Sequence, residues 1–202
     1  SLEERHIDAA RIAKGIRRFA VGLGKKVLLA NNIGRLWDVY NTMPAEQLTI
    51  SGAWLGAVAF TFQIYFDFSG YSDMAIGLGQ IFGFHFPENF DNPYSSKSIR
   101  EFWRRWHISL SSWFRDYLYI PLGGSRKGNV YLNLAIVFLT TGAWHGSQLC
   151  FVFWGIWHGI FIIGDLNDRR YNYVETEKFL TDYVKYVEDE LEDEIVLKEN
   201  IK

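Results

Sequence analysis

The chain has 202 residues, 49% hydrophobic and 17% aromatic, with a formal net charge of −2. That length bounds it to one domain with room for a tail, and the single cysteine, Cys150, excludes an intrachain disulfide and any Cys-based zinc site. A mean hydropathy near zero hides two populations: residues 1–164 carry 15 Lys and Arg against 11 Asp and Glu, whereas residues 165–202 carry 6 against 12.

The opening SLEERHIDAARIAKGIRR is charged throughout and does not read as a cleavable signal peptide. With no initiator Met, it reads as a chain that begins mid-protein. Residues 4–30 predict an amphipathic basic helix. Ile7, Ala10, Ile12, Ile16, Phe19, Leu23 and Val27 recur at roughly helical spacing, and Arg11, Lys14, Arg17, Arg18, Lys25 and Lys26 supply the charge. Such a helix suits an anionic membrane surface; a basic face on a soluble helix is the plainer reading.

Gln47 to Phe66 is a 20-residue run without formal charge, preceded by the breaker Pro44. A helix of about 20 apolar residues matches a hydrocarbon core of about 30 Å. The run passes into YFDFSGYSDMAIGLG (Tyr65–Gly79), where Asp67 and Asp73 interrupt an apolar, glycine-punctuated stretch. Acids in lipid-embedded segments face a polar cavity or a partner, or else Asp67 lies at the water interface and ends the span.

PENFDNPYSS (Pro87–Ser96) is a loop by composition. Ser98 with Glu101 three residues later forms a capping-box pattern that starts a helix. Along it Trp103, Trp106, Leu110, Trp113 and Tyr117 line an aromatic side, and Arg100, Arg104, His107 and Ser111 line a cationic one, until Pro121-Leu122-Gly123-Gly124 ends the run. Gly128–Gly164 contains no Asp, Glu, Lys or Arg, and is long enough for two short spans joined near Gly146-Ser147-Gln148, or for a buried hairpin of a very apolar soluble protein. Tyr131, Trp154 and Trp157 supply aromatics near its ends. From Asp165 the acidic tail reads as a soluble amphipathic helix or a disordered segment. The fold class is therefore all-α: polytopic membrane helices with interfacial or re-entrant amphipathic helices and an acidic tail.

No His-Glu-x-x-His spacing is present, so no metal is predicted. Gly123 and Gly128 have Walker A spacing, but Asn129-Val130 stand where Lys-Ser/Thr is required. The basic residues and tryptophans at 103–106 in apolar surroundings do not favour nucleic acid. No Gly-x-Ser-x-Gly elbow occurs, and Cys150 sits among Phe and Val as inert packing. His6 and His85 read as surface or interfacial. His145, in TTGAWHG (Thr140–Gly146), is the unusual residue. An imidazole in a low-dielectric site stays neutral and able to accept a proton, which suits a general base. The residues alone leave His145 open between that role and a hydrogen-bonded core histidine.

YFDFSGYSDMAIGLG, PENFDNPYSSKSIREFWRRWHISLSSWFRDYLYIPLGGSRKG, TGAWHG and VFWGIWHG together resemble the membrane-bound O-acyltransferases, in their bacterial branch of alginate O-acetyltransferase membrane subunits. The D-alanyl transferases of teichoic acid are near relatives. The resemblance runs from about residue 5 to 163, the central to C-terminal part of a longer family pattern. It implies a partial acyltransferase core at 1–164 and a foreign tail at 165–202, as in a fragment, a truncated product or a frameshifted end.

It further implies a multi-pass protein of the bacterial inner membrane. No cofactor is bound; an acyl thioester, acetyl-CoA or an acyl carrier, serves as co-substrate. The implied partners are the lipid bilayer, a polysaccharide acceptor and an extracytoplasmic acetyltransferase or polysaccharide-modifying protein. By the same resemblance His145 is the catalytic base and His107 orients acceptor or donor. Arg104 and Arg105 are placed by their charge as steadying donor phosphates or lipid headgroups. Trp106, Trp144, Asp67 and Asp73 complete the positioning set, and His158 echoes the motif as a structural residue. The alternatives are D-alanyl transfer to teichoic acid and a non-catalytic membrane scaffold.

Overall fold

The computed structural model describes residues 7–168, and these residues are all-helical. They form two compact units: residues 7–95 with 103–111, and residues 96–102 with 112–168. The predicted acidic tail lies, apart from residues 165–168, outside the described residues.

In the first unit α1 (Ala9–Gly24) is capped by Asp8, whose side chain accepts the Arg11 N–H at 2.7 Å. The helix does not end near residue 30. It passes through a π-helical segment (Lys25–Ala30) directly into α2 (Asn31–Asn41). Wider π turns rotate the side chains that follow, and Lys25 and Lys26 stand at the first two positions of this one.

After a turn around Pro44, α3 (Ile50–Ile81) begins behind Thr49, whose hydroxyl accepts the Gly52 N–H at 3.1 Å. It runs for 32 residues rather than ending at Phe66. Asp67 does not stop it, because Lys26 pairs with its carboxylate. Asp73 does not stop it either, because Arg18 and Lys25 lie 2.6 and 2.7 Å from its two oxygens. An acid that meets a cation no longer needs water to solvate it. The helix ends where Gly83 takes φ +79° and the Phe84 N–H reaches back to the Gly79 carbonyl at 2.7 Å, a Schellman-type stop that a Cβ would disfavour.

Glycines set the approach of α1 to α3. A Cβ on Gly15 would lie 2.6 Å from the Gly77 carbonyl oxygen, and one on Gly22 would lie 2.6 Å from that of Gly70. The pairs are antiparallel and seven residues apart on both helices, so two turns of each backbone touch directly. Gly24, by contrast, has open space around it and ordinary right-handed helical geometry. Opposite effects follow from the same chemical change. Gly77→Ala lowers stability by about 1–3 kcal/mol through overpacking, whereas Gly24→Ala raises it by about 0.5–1 kcal/mol through chain entropy. Thermal unfolding in a mild detergent reads both signs.

In the second unit α6 (Val130–His145) starts at Asn129, whose Oδ1 accepts the N–H groups of Tyr131 and Leu132. A break at residues 146–148 leads into α7, Leu149–Asp168, close to the predicted junction. Gly142 and Gly155 let these two helices meet: a Cβ on Gly155 would sit 2.5 Å from the Phe138 carbonyl oxygen. Among the described residues α7 is the one helix long and apolar enough to cross a membrane. It exposes Phe153, Trp157, Ile160 and Phe161. The 16-residue α6 spans about 24 Å. Helix α7 runs past Gly164, and its Asp165 pairs with Arg100 at 3.2 Å.

Candidate functional site

The helix predicted from Ser98 up to Pro121 starts as expected. The Glu101 N–H donates to Ser98 Oγ at 3.2 Å, and Glu101 Oε2 accepts the Lys97 N–H at 2.8 Å, one residue earlier than a standard capping box. It is not continuous, however. Helix α4 (Ile99–Arg105) stops, α5 (Ile108–Phe114) restarts, and a π-helical segment follows at Arg115–Tyr119.

His107 sits in the break with φ +46°, one of two non-glycine residues with positive φ among those described. The loop 89–91 causes the interruption. The Asp91 N–H donates to the Arg105 carbonyl at 3.0 Å and the Ile108 N–H to the Asn89 carbonyl at 3.0 Å, while Phe90 and Trp106 form an antiparallel bridge. Asn89 Oδ1 then caps α5 by accepting the N–H and hydroxyl of Ser109 at 3.1 and 2.9 Å. Tertiary hydrogen bonds replace the helical ones, and His107 takes a left-handed conformation that favours Gly or Asn.

Around this break the rings of Phe68 and His107 meet at 4.6 Å. Phe90 packs edge-on against Phe68 and Trp106 at 5.1 and 5.0 Å. Arg105 donates to Ser95 Oγ at 3.0 Å, and Arg104 is exposed. Asp67 and Asp73 reach neither histidine by any hydrogen bond among the described residues; Asp73 is tied to Arg18 of α1 and to Lys25, and Asp67 to Lys26, the two lysines that open the π-helical segment. Sequence reasoning missed Arg18, which joins Asp73 and Glu88. Glu88, ahead of Asp73, raises the Arg18 guanidinium above its ordinary value. The matched spacing of Gly15 and Gly22 against Gly70 and Gly77 was the signal that could have found this contact.

His145 ends α6 in the second unit and is exposed rather than buried. Its Nδ1 lies 2.7 Å from the Thr141 carbonyl oxygen, one turn earlier. A carbonyl only accepts, so Nδ1 carries the proton, and the neutral form of the ring has its lone pair at Nε2. Nε2 makes no hydrogen bond among the described residues. The ring is flanked by Trp144 at 5.1 Å and Trp154 at 4.6 Å. Trp154 in turn lies 4.5 Å from the half-buried His158, so one indole separates the two imidazoles. A base held at one nitrogen and open at the other is a constellation suited to deprotonating a hydroxyl.

The sequence matches the model of the membrane-bound O-acyltransferase family, MBOAT, over residues 3–178. The chain belongs to this family. The match extends past Gly164, where the motif blocks stop, into the acidic tail. Among relatives of this family member, the probable alginate O-acetylase AlgI of Pseudomonas putida is 51% identical over 173 residues, 82% of this chain and 35% of the relative. The peptidoglycan O-acetyltransferase of Helicobacter pylori is 46% identical over 157 residues, 77% of this chain and 30% of its own. The teichoic acid D-alanyltransferase of Bacillus subtilis is 32% identical over 158 residues, 72% and 39% respectively. The chain thus spans about a third of the length of these relatives.

Proposed function

We propose that the protein is a membrane-embedded, multi-pass O-acyltransferase. It moves an acetyl group from a thioester donor to hydroxyls of a bacterial exopolysaccharide or cell-wall polymer. The observation that carries the reading is the His145 ring, fixed through Nδ1 at 2.7 Å from the Thr141 carbonyl, with Nε2 unengaged among the described residues. Nε2 takes the acceptor proton as the hydroxyl oxygen attacks the thioester carbonyl carbon. The C–S bond then breaks, and the imidazolium returns its proton to the departing thiolate. His107 orients the acceptor or the donor carbonyl, and an extracytoplasmic partner receives or delivers the group. The donor is a co-substrate, acetyl-CoA or an acyl carrier.

The higher identity to O-acetylating relatives favours acetyl. The similarity to the D-alanyltransferase supports D-alanyl transfer to teichoic acid as a second reading. Mass spectrometry of polymer recovered from cells with and without the gene separates them. Acetyl esters that disappear on deletion support the first reading, alanyl esters support the second, and an unchanged polymer overturns both.

The His107 backbone gives a further expected result. His107→Asn keeps a residue that tolerates positive φ while removing the imidazole. Thermal stability stays within about 1 kcal/mol, and acyl transfer falls at least about tenfold. Undiminished transfer by this variant makes the ring a packing group against Phe68 and nothing more.

A further inference from the structure

Helix α1 carries a second chemical feature that acyl transfer at a histidine does not use. Lys14, Arg17, Arg18 and Val21 of α1 and Lys25 at the start of the π-helical segment, with Asp73, line an open groove of about 410 Å³. Four cations face one acid. Both Asp73 oxygens are already engaged, Oδ1 by Arg18 and Oδ2 by Lys25, and Glu88 holds the rest of the Arg18 fork. Lys14 and Arg17 make no ion pair or hydrogen bond among the described residues, and both are exposed. Val21, between Arg18 and Lys25, is 55% exposed. The groove therefore offers a cationic end, an apolar middle and a second cation.

We infer that this groove binds a phosphate ester. A guanidinium fork matches two phosphate oxygens in one plane, and adjacent ammonium groups neutralise the remaining charge. A carboxylate offers only two oxygens for the same donors. Two sources supply this chemistry: the phosphodiester of an anionic lipid headgroup, and the phosphates of a soluble acyl donor. The second source rests on the acyl-transfer reading; the first does not. The groove also has a built-in competitor. Glu88 occupies Arg18, so removing its charge frees donors for the ligand.

The test is binding, not turnover, so its failure is separable from a failure of the catalytic reading. The protein at its full natural length, in an uncharged detergent, is titrated calorimetrically with inorganic pyrophosphate. A second titration uses dihexanoylphosphatidylglycerol, with dihexanoylphosphatidylcholine as the neutral comparison. Lys14→Gln with Arg17→Gln weakens binding of the anionic probe about tenfold. Glu88→Gln tightens it about threefold. Lys14→Arg with Arg17→Lys restores binding, which excludes a folding defect. Saturation by pyrophosphate alone assigns the soluble source, and preference for phosphatidylglycerol alone assigns the lipid. The inference is overturned if neither anionic probe binds. It is equally overturned if Arg126→Gln with Lys127→Gln, an equal loss of charge outside the groove, weakens binding as much.

Discussion

On the proposed base role, replacing His145 with alanine is expected to lower acyl transfer by about 10²–10⁴-fold, the usual contribution of a positioned general base, equivalent to about 3–5 kcal/mol of barrier. Stability changes little, because the ring is exposed at the end of α6 and its one hydrogen bond is local, to Thr141. His145→Gln follows His145→Ala, since a carboxamide nitrogen donates only and has no basic lone pair. The measurement is the single-turnover rate of the full-length enzyme with a thioester donor, alongside its unfolding temperature. Activity within about twofold of wild type, with the fold intact, removes His145 from the base role. Nitrogen chemical shifts of labelled histidine give an independent check on the tautomer of the neutral ring: a protonated Nδ1 and a bare Nε2 are expected from the Thr141 contact.

The second large effect concerns stability. Asp73→Ala leaves Arg18 and Lys25 facing each other without their shared counter-charge. Its side chain is 11% exposed and theirs are 27% and 29% exposed. Breaking a buried pair costs about 3–5 kcal/mol, and partial exposure of the cations brings this to about 2–4 kcal/mol. Asp67→Ala is the comparison. Asp67 and Lys26 are 41% and 42% exposed, so the loss is about 0–1 kcal/mol. Raising the salt concentration narrows the Asp67 effect and leaves most of the Asp73 effect in place, because exposed pairs are screened first. Thermal unfolding in detergent ranks the two variants. Equal destabilisation by both contradicts the assignment of Asp73 as the more buried and less screened of the two ion pairs.

Local chemistry was legible wherever neighbours in sequence decide the outcome. The turn at Pro44, the Ser98–Glu101 start and the break after His145 appear where residue pattern and capping place them, and the basic helix predicted over residues 4–30 is present but starts at Ala9 and runs on to Asn41. The ordered motif blocks pointed to a family that residues 3–178 match. Each of these depends on groups within a turn or two of helix, where spacing alone determines which atoms meet.

Long-range contacts were not legible. The aromatic rhythm from Trp103 to Tyr117 read as one helix, yet Asn89 and Asp91, over a dozen residues away, take the backbone partners at Arg105 and Ile108 and turn His107 into positive φ. Charge content suggested that Asp67 ends a span; Lys26 neutralises it and α3 continues to Ile81. Composition placed Arg18 and Lys25 toward lipid, and the glycine-mediated approach of α1 to α3 turns them onto Asp73. The sequence by itself therefore determined the helical class and the family, and singled out two histidines as candidates. Only tertiary structure decided how those histidines are held, because a backbone hydrogen bond or an ion pair between distant residues depends on which helices can approach, and periodicity carries no information about that approach.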